Sequence, residues 1–372
     1  MRNKSLLSVW ICGVILFGIT GMKVNLCACT GLTVKTQDSY CIFTRSLEYA
    51  YFLDSHITLI PRGYQFTGTA PDGNTGMKWQ SKYRVMGLNM YGMDLVMDGI
   101  NEKGLYSGIF LFPEFAGYQK VSPEEYSRTL GSWELTTWLL TSFASLREAK
   151  EGLLRIKIGK AIFKPQRQIL PIHIMISDAS GNSAVVEYVN GQLHLHDNPL
   201  GVITNSPTFD WHLTNLRNYI NLTPANPASK DFSGLKIAPI GQGAGMKGLP
   251  GDYSPPSRFV KAVLLGHSAE KVKGADAGVK QAWQLLNTFF ITKGDVRATK
   301  SHGPDDYTQW QAISDLKNLR YFVATYKSPR LWMYPMKKAV FHTGKIIKIP
   351  LHDAAKFYDD ASGELTGRGT PE

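Results

Sequence analysis

The stretch from Leu32 to Leu47 constrains the fold most. Its halves, 32–35 and 40–47, each alternate in strand fashion around the polar turn Thr36-Gln37-Asp38-Ser39, which is the pattern of an antiparallel hairpin. Further strands are expected at 57–60, 83–88 and 95–97, and a turn at 101–104 leads into 105–110. Leu135, Trp138, Leu139, Phe143 and Leu146 recur at helical spacing and predict one helix from 132 to about 156. Strand patterning returns at 172–177 and 184–189 across the turn 178–182, and again at 193–196 and 202–203. Helices are expected at about 209–220, 257–266 and 276–290, then strands near 307–315, 319–326 and 340–349. Hairpins flanked by helix blocks on both sides imply a layered α+β fold with antiparallel sheets.

With 372 residues, of which 43% are hydrophobic and 19% charged, the chain has ample material for a core. No Pro/Ser-rich linker, charge block or internal repeat divides it, so one large domain is expected rather than two.

The first 28 residues read differently. Arg2 and Lys4 precede an apolar run from Leu6 to Ile19, and small and polar residues then lead to Ala28, which is the layout of an export signal. The run is shorter than the roughly 20 apolar residues of a spanning helix and is broken by Ser8, Gly13 and Gly18. The expected divisions are therefore a leader at 1–28, a secreted or periplasmic domain at 29–350, and a tail at 351–372 whose small, polar end from Ala361 is expected to be disordered. Losing the leader removes Arg2, Lys4 and Lys23 and no acids, so the formal charge falls from +11 to +8. Lys and Arg are spread along the chain, which implies a basic soluble surface rather than a nucleic-acid interface.

Cys12 and Cys27 lie in the leader, leaving Cys29 and Cys41. Cleavage after Ala28 would give Cys29 both a thiol nucleophile and an α-amine of reference pKa about 7.7 to 8, so the base would be tethered to the nucleophile and no separate histidine would be needed. A cysteine after a leader is also compatible with a structural thiol or a lipid attachment site, and Leu26-Cys27-Ala28-Cys29 partly resembles a lipoprotein processing site. Lipidation would consume thiol and amine together and leave a lipid-anchored, non-catalytic binding protein. A Cys29–Cys41 disulfide, which a reversal at Asp38 would permit, would also block the chemistry.

Arg45 falls on the period-2 face of Cys41, Phe43, Leu47 and Tyr49. A guanidinium in an apolar stripe needs an anionic partner. That partner is either an Asp or Glu in a structural salt bridge or a Cys29 thiolate, whose pKa Arg45 would then lower. Glu48, three residues on, could orient the α-amine.

Six ordered blocks now stand together. They are Cys29-Thr30-Gly31-Leu32; Thr44-Arg45-Ser46-Leu47-Glu48; Ile60-Pro61-Arg62-Gly63-Tyr64; Asp98-Gly99-Ile100-Asn101-Glu102-Lys103-Gly104-Leu105; Gly201-Val202-Ile203-Thr204-Asn205-Ser206-Pro207-Thr208-Phe209-Asp210-Trp211; and Gly248-Leu249-Pro250-Gly251-Asp252-Tyr253-Ser254-Pro255-Pro256-Ser257-Arg258-Phe259. From Cys29 to about residue 350 the chain resembles the choloylglycine hydrolase and penicillin V acylase family, the linear-amide hydrolases of the Ntn superfamily. The resemblance implies a four-layer αββα sandwich of two antiparallel sheets between helix layers, and a homotetramer. It implies Cys29 as nucleophile and, through its amine, base; Arg45 beside the sulfur; Asn205 as oxyanion donor; and Arg258 shaping the field around the thiolate.

Two positions depart from the family pattern. Glu48 stands where the family often has Asp, which moves the carboxylate by one methylene. Leu111 stands where well-studied bile salt hydrolases carry Asn, and leucine has no side-chain donor, so a backbone N–H would substitute. The acyl group is expected to sit in an apolar pocket near Leu47, Tyr49, Leu111 and Phe112, which suits an aromatic, steroidal or fatty acid. The small-molecule N-acyl amides in view are bile salts, phenoxyacetyl penicillins and N-acyl homoserine lactones, and Leu111 directs the expectation toward the last two. The chemistry calls for no metal or organic cofactor.

Other signals carry less. Gly243-Ala244-Gly245-Met246-Lys247-Gly248 matches G-x-G-x-x-G but lacks the βαβ context and the acid about 20 residues on, so it reads as a Gly-rich loop before Arg258. His194 and His196 share a strand side without a third ligand at convincing spacing and read as exposed strand histidines. No G-x-S-x-G motif supports a serine hydrolase.

Overall fold

The computed structural model describes residues 28–298, 304–352 and 359. The leader, except Ala28, and the tail, except residues 351, 352 and 359, lie outside the described residues.

Among the described residues, fourteen strands make the two large sheets. They are β1 (Thr30–Lys35), β2 (Cys41–Glu48), β3 (His56–Ile60), β4 (Val85–Leu88), β5 (Asp98–Asn101), β6 (Tyr106–Leu111), β7 (Ile172–Ser177), β8 (Ser183–Val189), β9 (Gln192–Asp197), β10 (Val202–Ile203), β11 (Thr308–Asp315), β12 (Arg320–Thr325), β13 (Trp332–Pro335) and β14 (Ile347–Pro350). The first sheet runs β10-β1-β2-β11-β12-β13 and the second β9-β8-β7-β6-β5-β4-β3-β14. Every pairing within both is antiparallel.

The alternation in β2 decides the layering. Ile42 turns outward with Val34 onto Val279 and Ala282 of helix α5 (Ala275–Asn287), while Phe43 and Leu47 turn inward to the main core. There Phe43 meets Tyr106 of the other sheet, ring centroids 4.1 Å apart. Gly31 lets β1 pass between these rings, because a Cβ there would sit 2.8 Å from Phe43 and 2.9 Å from Phe110. Helices α4 (Pro255–Ser268) and α5 (Ala275–Asn287) cover the six-stranded sheet, and α1 (Leu135–Ser142) covers the other. The result is the αββα sandwich. No helix among the described residues is long and apolar enough to cross a membrane.

Local structure departs from the sequence expectation where side chains intervene. The expected helix from 132 to 156 breaks into α1 and α2 (Leu146–Leu153). Asn101 Nδ2 takes the carbonyls of Leu140 and Phe143 at 2.9 and 2.7 Å, and Ser145 Oγ caps α2 by accepting from Glu148 N at 3.3 Å. The Phe143 ring then folds over Gly152, where a Cβ would come within 2.1 Å of it. Residues 95–97 form no strand, because Thr137 Oγ1 of α1 accepts from Val96 N at 2.8 Å; the strand starts at Asp98. The pattern at 340–349 breaks at Gly344, whose φ is +71, so only β14 follows it. Helix α3 (Phe209–Leu216) continues as a 3-10 turn to Tyr219.

The reversal at Asp38 does form, yet it keeps the cysteines apart. Cys41 pairs with Lys35 and Ser46 with Thr30, so Cys29 and Cys41 sit at opposite ends of the hairpin, about 20 Å apart at strand rise. Both are free.

Candidate active site

Sheet register brings the N-terminal end of β1 to the C-terminal end of β2. Thr30 faces Ser46, so Cys29 lies at Leu47 and Glu48, and its Sγ approaches the Glu48 carbonyl at 3.9 Å. On its other edge β1 pairs with β10, Gly31 against Ile203, which carries Asn205 alongside. Cys29 N donates to Asn205 Oδ1 at 2.9 Å. Arg258, in the first turn of α4 behind Pro255 and Pro256, closes the cluster: it donates to Asn205 Oδ1 and Thr30 Oγ1 at 2.9 and 2.8 Å and to the Cys29 carbonyl. Its Nε is held by the Tyr253 carbonyl at 2.8 Å. Asn205 Nδ2 donates to the Leu111 carbonyl at 2.8 Å; an amide nitrogen carries two hydrogens, which leaves one for a ligand.

Arg45 is fully buried, and its ion-pair partner is Asp98. Its Nη1 lies 3.4 Å from Asp98 Oδ2 and donates to the Ile109 carbonyl at 2.7 Å, and the guanidinium carbon sits 4.2 Å from the Phe110 ring centroid. Nη2 has no hydrogen-bond partner among the described residues. Burial works against the charge, but the Cys29 sulfur, then Asp98, hold it well above the ordinary range. Asp98 also accepts from the Tyr106 and Tyr321 hydroxyls, so two sheets meet on one carboxylate.

Glu48 is fully buried and accepts from Ser46 Oγ at 3.0 Å and Thr308 Oγ1 at 2.8 Å. Burial, then the Cys29 charge, pushes its carboxyl well above the usual range, against Arg258 and those hydroxyls.

A small cavity of about 40 Å³ opens on Cys29, lined by Leu47, Tyr49, Met97, Leu111, Gln166 and Leu170 among others. Gln166 Nε2 donates to the hydroxyls of Tyr49 and Tyr91 at 2.8 and 3.0 Å. Phe112 does not line the cavity: it is buried and stacks on His173, centroids 4.5 Å apart, because strand alternation turns it away from Leu111. Among the described residues no cluster of His, Cys, Asp or Glu is built to hold a metal ion.

This geometry coincides with a family match: the model of the linear amide C–N hydrolases, choloylglycine hydrolase family, covers residues 29–348. The chain belongs to the choloylglycine hydrolase family. This linear amide hydrolase is 30% identical to the bile salt hydrolase/transferase of Clostridium perfringens, over 83% of this chain and 93% of that protein. It is 27% identical to a penicillin V acylase of Pectobacterium atrosepticum, over 92% of this chain and 89% of that one. The crystal structure of a variant conjugated bile acid hydrolase from Clostridium perfringens matches with a TM-score of 0.77 at 28% identity, covering 88% of this chain and 98% of that one.

In this choloylglycine hydrolase family member the five residues expected at the reacting centre, Cys29, Arg45, Glu48, Asn205 and Arg258, come together, and three of the four pocket residues join them. Sequence reasoning passed over Asp98, although it begins a motif block, and Gln166. It also passed over Asp306, a buried carboxyl pushed up to about 7 by burial and then by the Cys29 charge. His196 is half-buried rather than exposed, with Nε2 3.5 Å from Glu187 Oε2.

Proposed function

We propose that this linear amide hydrolase works through Cys29 as its mature N-terminal residue. The single observation that carries the reading is the Cys29 N to Asn205 Oδ1 hydrogen bond, which ties the nitrogen that would become the free amine to the residue suited to an oxyanion. The family match beginning at Cys29 supports it. The sulfur attacks the amide carbonyl while the α-amine takes the thiol proton. The oxyanion is stabilised by the remaining Asn205 N–H and a backbone N–H, donors of a kind that contribute about 3 to 4 kcal/mol each where measured. Collapse breaks the C–N bond as the ammonium protonates the leaving nitrogen, and water resolves the thioester to acid and free thiol.

The acyl group occupies the cavity on Cys29. Its lining is apolar apart from the sulfur, Tyr49 and Gln166. The Leu111 side chain favours a phenoxyacetyl or N-acyl homoserine lactone acyl group over a steroid. The layout of residues 1–28 supports export to the periplasm or beyond. A homotetramer is proposed from the family resemblance; the small hairpin Lys230–Phe232 and Leu235–Ile237 supplies an apolar surface for it through exposed Phe232, Leu235 and Ile237.

Intact mass and N-terminal sequencing of active enzyme test the reading. A chain beginning at Cys29 with a free amine is expected. Full activity in a chain retaining residues 1–28 overturns the mechanism, and acylation at Cys29 replaces it with a lipid-anchored binding protein. Acyl release from penicillin V, an N-acyl homoserine lactone and a conjugated bile salt then ranks the substrates.

A further inference from the structure

Asn205 lies just beyond a strand only two residues long, Val202–Ile203, so sheet pairing ends before the residue whose amide angle matters. Side chains hold the backbone beyond that strand. His173 of β7 places Nε2 3.1 Å from the Thr204 carbonyl, and His212 of α3 places Nε2 2.9 Å from the Asn205 carbonyl. A carbonyl only accepts, so both nitrogens carry the proton. Each ring is pinned face to face: His173 on Phe112, and His212 on Phe259 with centroids 4.6 Å apart and planes 16° from parallel. Glu187 of β8 ties the two supports together, since its Oε1 lies 3.1 Å from His173 Nδ1 and accepts from Phe209 N, the first residue of α3, at 3.0 Å.

We propose that His173 and His212 are positioning residues for Asn205, two imidazoles from separate elements that clamp consecutive carbonyls and so set the angle at which the Asn205 amide meets the reacting carbonyl. Simple loop anchoring does not account for the arrangement. His212 Nδ1 is buried with no hydrogen-bond partner among the described residues, a cost accepted to direct Nε2 at Asn205. The clamp also holds the side chain's neighbours in place: Ser206 Oγ donates to the Pro113 carbonyl at 2.6 Å, close along the chain to the Leu111 carbonyl that Asn205 itself bonds. With the backbone fixed on both sides, Oδ1 stays on Cys29 N and Arg258 and the second Nδ2 hydrogen keeps one direction.

The inference rests on the oxyanion role proposed for Asn205, and the test separates the two. His212→Leu, His212→Gln and Asn205→Ala are compared for turnover of penicillin V or whichever amide is cleaved fastest, for iodoacetamide alkylation of Cys29, and for melting temperature. His212→Leu is expected to lower kcat about tenfold to a hundredfold with little change in KM, the scale of a misplacement near 1 Å. Alkylation should fall far less than kcat, because it develops no oxyanion for the Asn205 amide to meet. His212→Gln, which keeps a donor at similar reach, should recover most of the loss. Inactive Asn205→Ala beside fully active His212→Leu overturns the clamp alone; fully active Asn205→Ala overturns the clamp and the oxyanion role together. Losses of kcat and alkylation that simply track the unfolded fraction also overturn it. Should His212→Leu not fold, His212→Phe, which keeps the stack on Phe259 and lacks the donor, carries the same comparison.

Discussion

Arg45 and Asp98 form an ion pair sealed between the two sheets, 3.4 Å apart with side chains 1% and 0% exposed. Arg45 belongs to β2 of one sheet and Asp98 to β5 of the other, so the pair ties the two sheets together. Breaking such a pair from either side costs about 3 to 5 kcal/mol, since the surviving charge is left buried.

The two halves of the pair should act on the thiol in opposite directions. Arg45→Gln removes a cation and is expected to move the alkylation curve of Cys29 to higher pH, with Arg45→Lys restoring only part because it lacks the planar fork. Asp98→Asn removes a competing anion and should move the curve to lower pH. Both variants should melt earlier than wild type. Lower melting temperatures with unmoved alkylation curves would make the pair structural only.

The two cysteines should separate cleanly. Cys29→Ser is nearly isosteric and should fold while forming no thioester. Cys41 is buried at the far end of the hairpin and burial pushes its thiol up to about 11. Cys41→Ser should therefore retain turnover, and wild type at pH 8 should take up a single equivalent of iodoacetamide, at Cys29. Activity lost with Cys41 and kept without Cys29 would reverse the assignment.

Asp306 gives the stability a pH slope of definite sign. Its carboxyl sits at about 7 when folded against 3.8 for the unperturbed group, through burial first and the Cys29 charge second. Between those values the folded chain keeps a proton that the unfolded chain has released, so this contribution is complete below 3.8 and is lost as pH rises to about 7. Asp306→Asn cannot ionise. Its stability relative to wild type should rise steadily from pH 4 to 7 and then level off, as read from urea midpoints at four pH values. Parallel curves would show that Asp306 does not hold the proton.

Local pattern made parts of this legible from sequence, and tertiary encounters hid the rest. Arg45 announced itself because a strand's alternation places every second side chain on one face, and a cation in that face demands a partner. Which partner was not legible: Asp98 lies 53 residues away and reaches Arg45 only when two sheets stack. The same blindness split the expected helix at Phe143, where the deciding group is Asn101 on another strand. Strand parity put His194 and His196 on one side correctly, yet it cannot say that Glu187 stands opposite. Asp306 and Gln166 sit in segments with no period at all, so only the folded chain reveals that they face the site.

The size of the cavity, finally, can be tested at Leu170. Its side chain lines the pocket, while its backbone carbonyl accepts from the Tyr118 hydroxyl at 2.6 Å and Ser132 Oγ at 2.9 Å. Truncation to Ala therefore leaves the chain anchored and removes only the pocket wall. Leu170→Ala should cost about 2 to 5 kcal/mol of stability if the space stays empty, a penalty that a larger acyl group filling it would offset in the complex. Each methylene accommodated in an apolar pocket is worth about 1 to 3 kcal/mol of discrimination. The ratio of kcat/KM for a steroidal or long-chain acyl amide to that for penicillin V should thus rise about tenfold or more. An unchanged ratio, with the lower melting temperature confirming the truncation, would place the acyl group elsewhere than against Leu170.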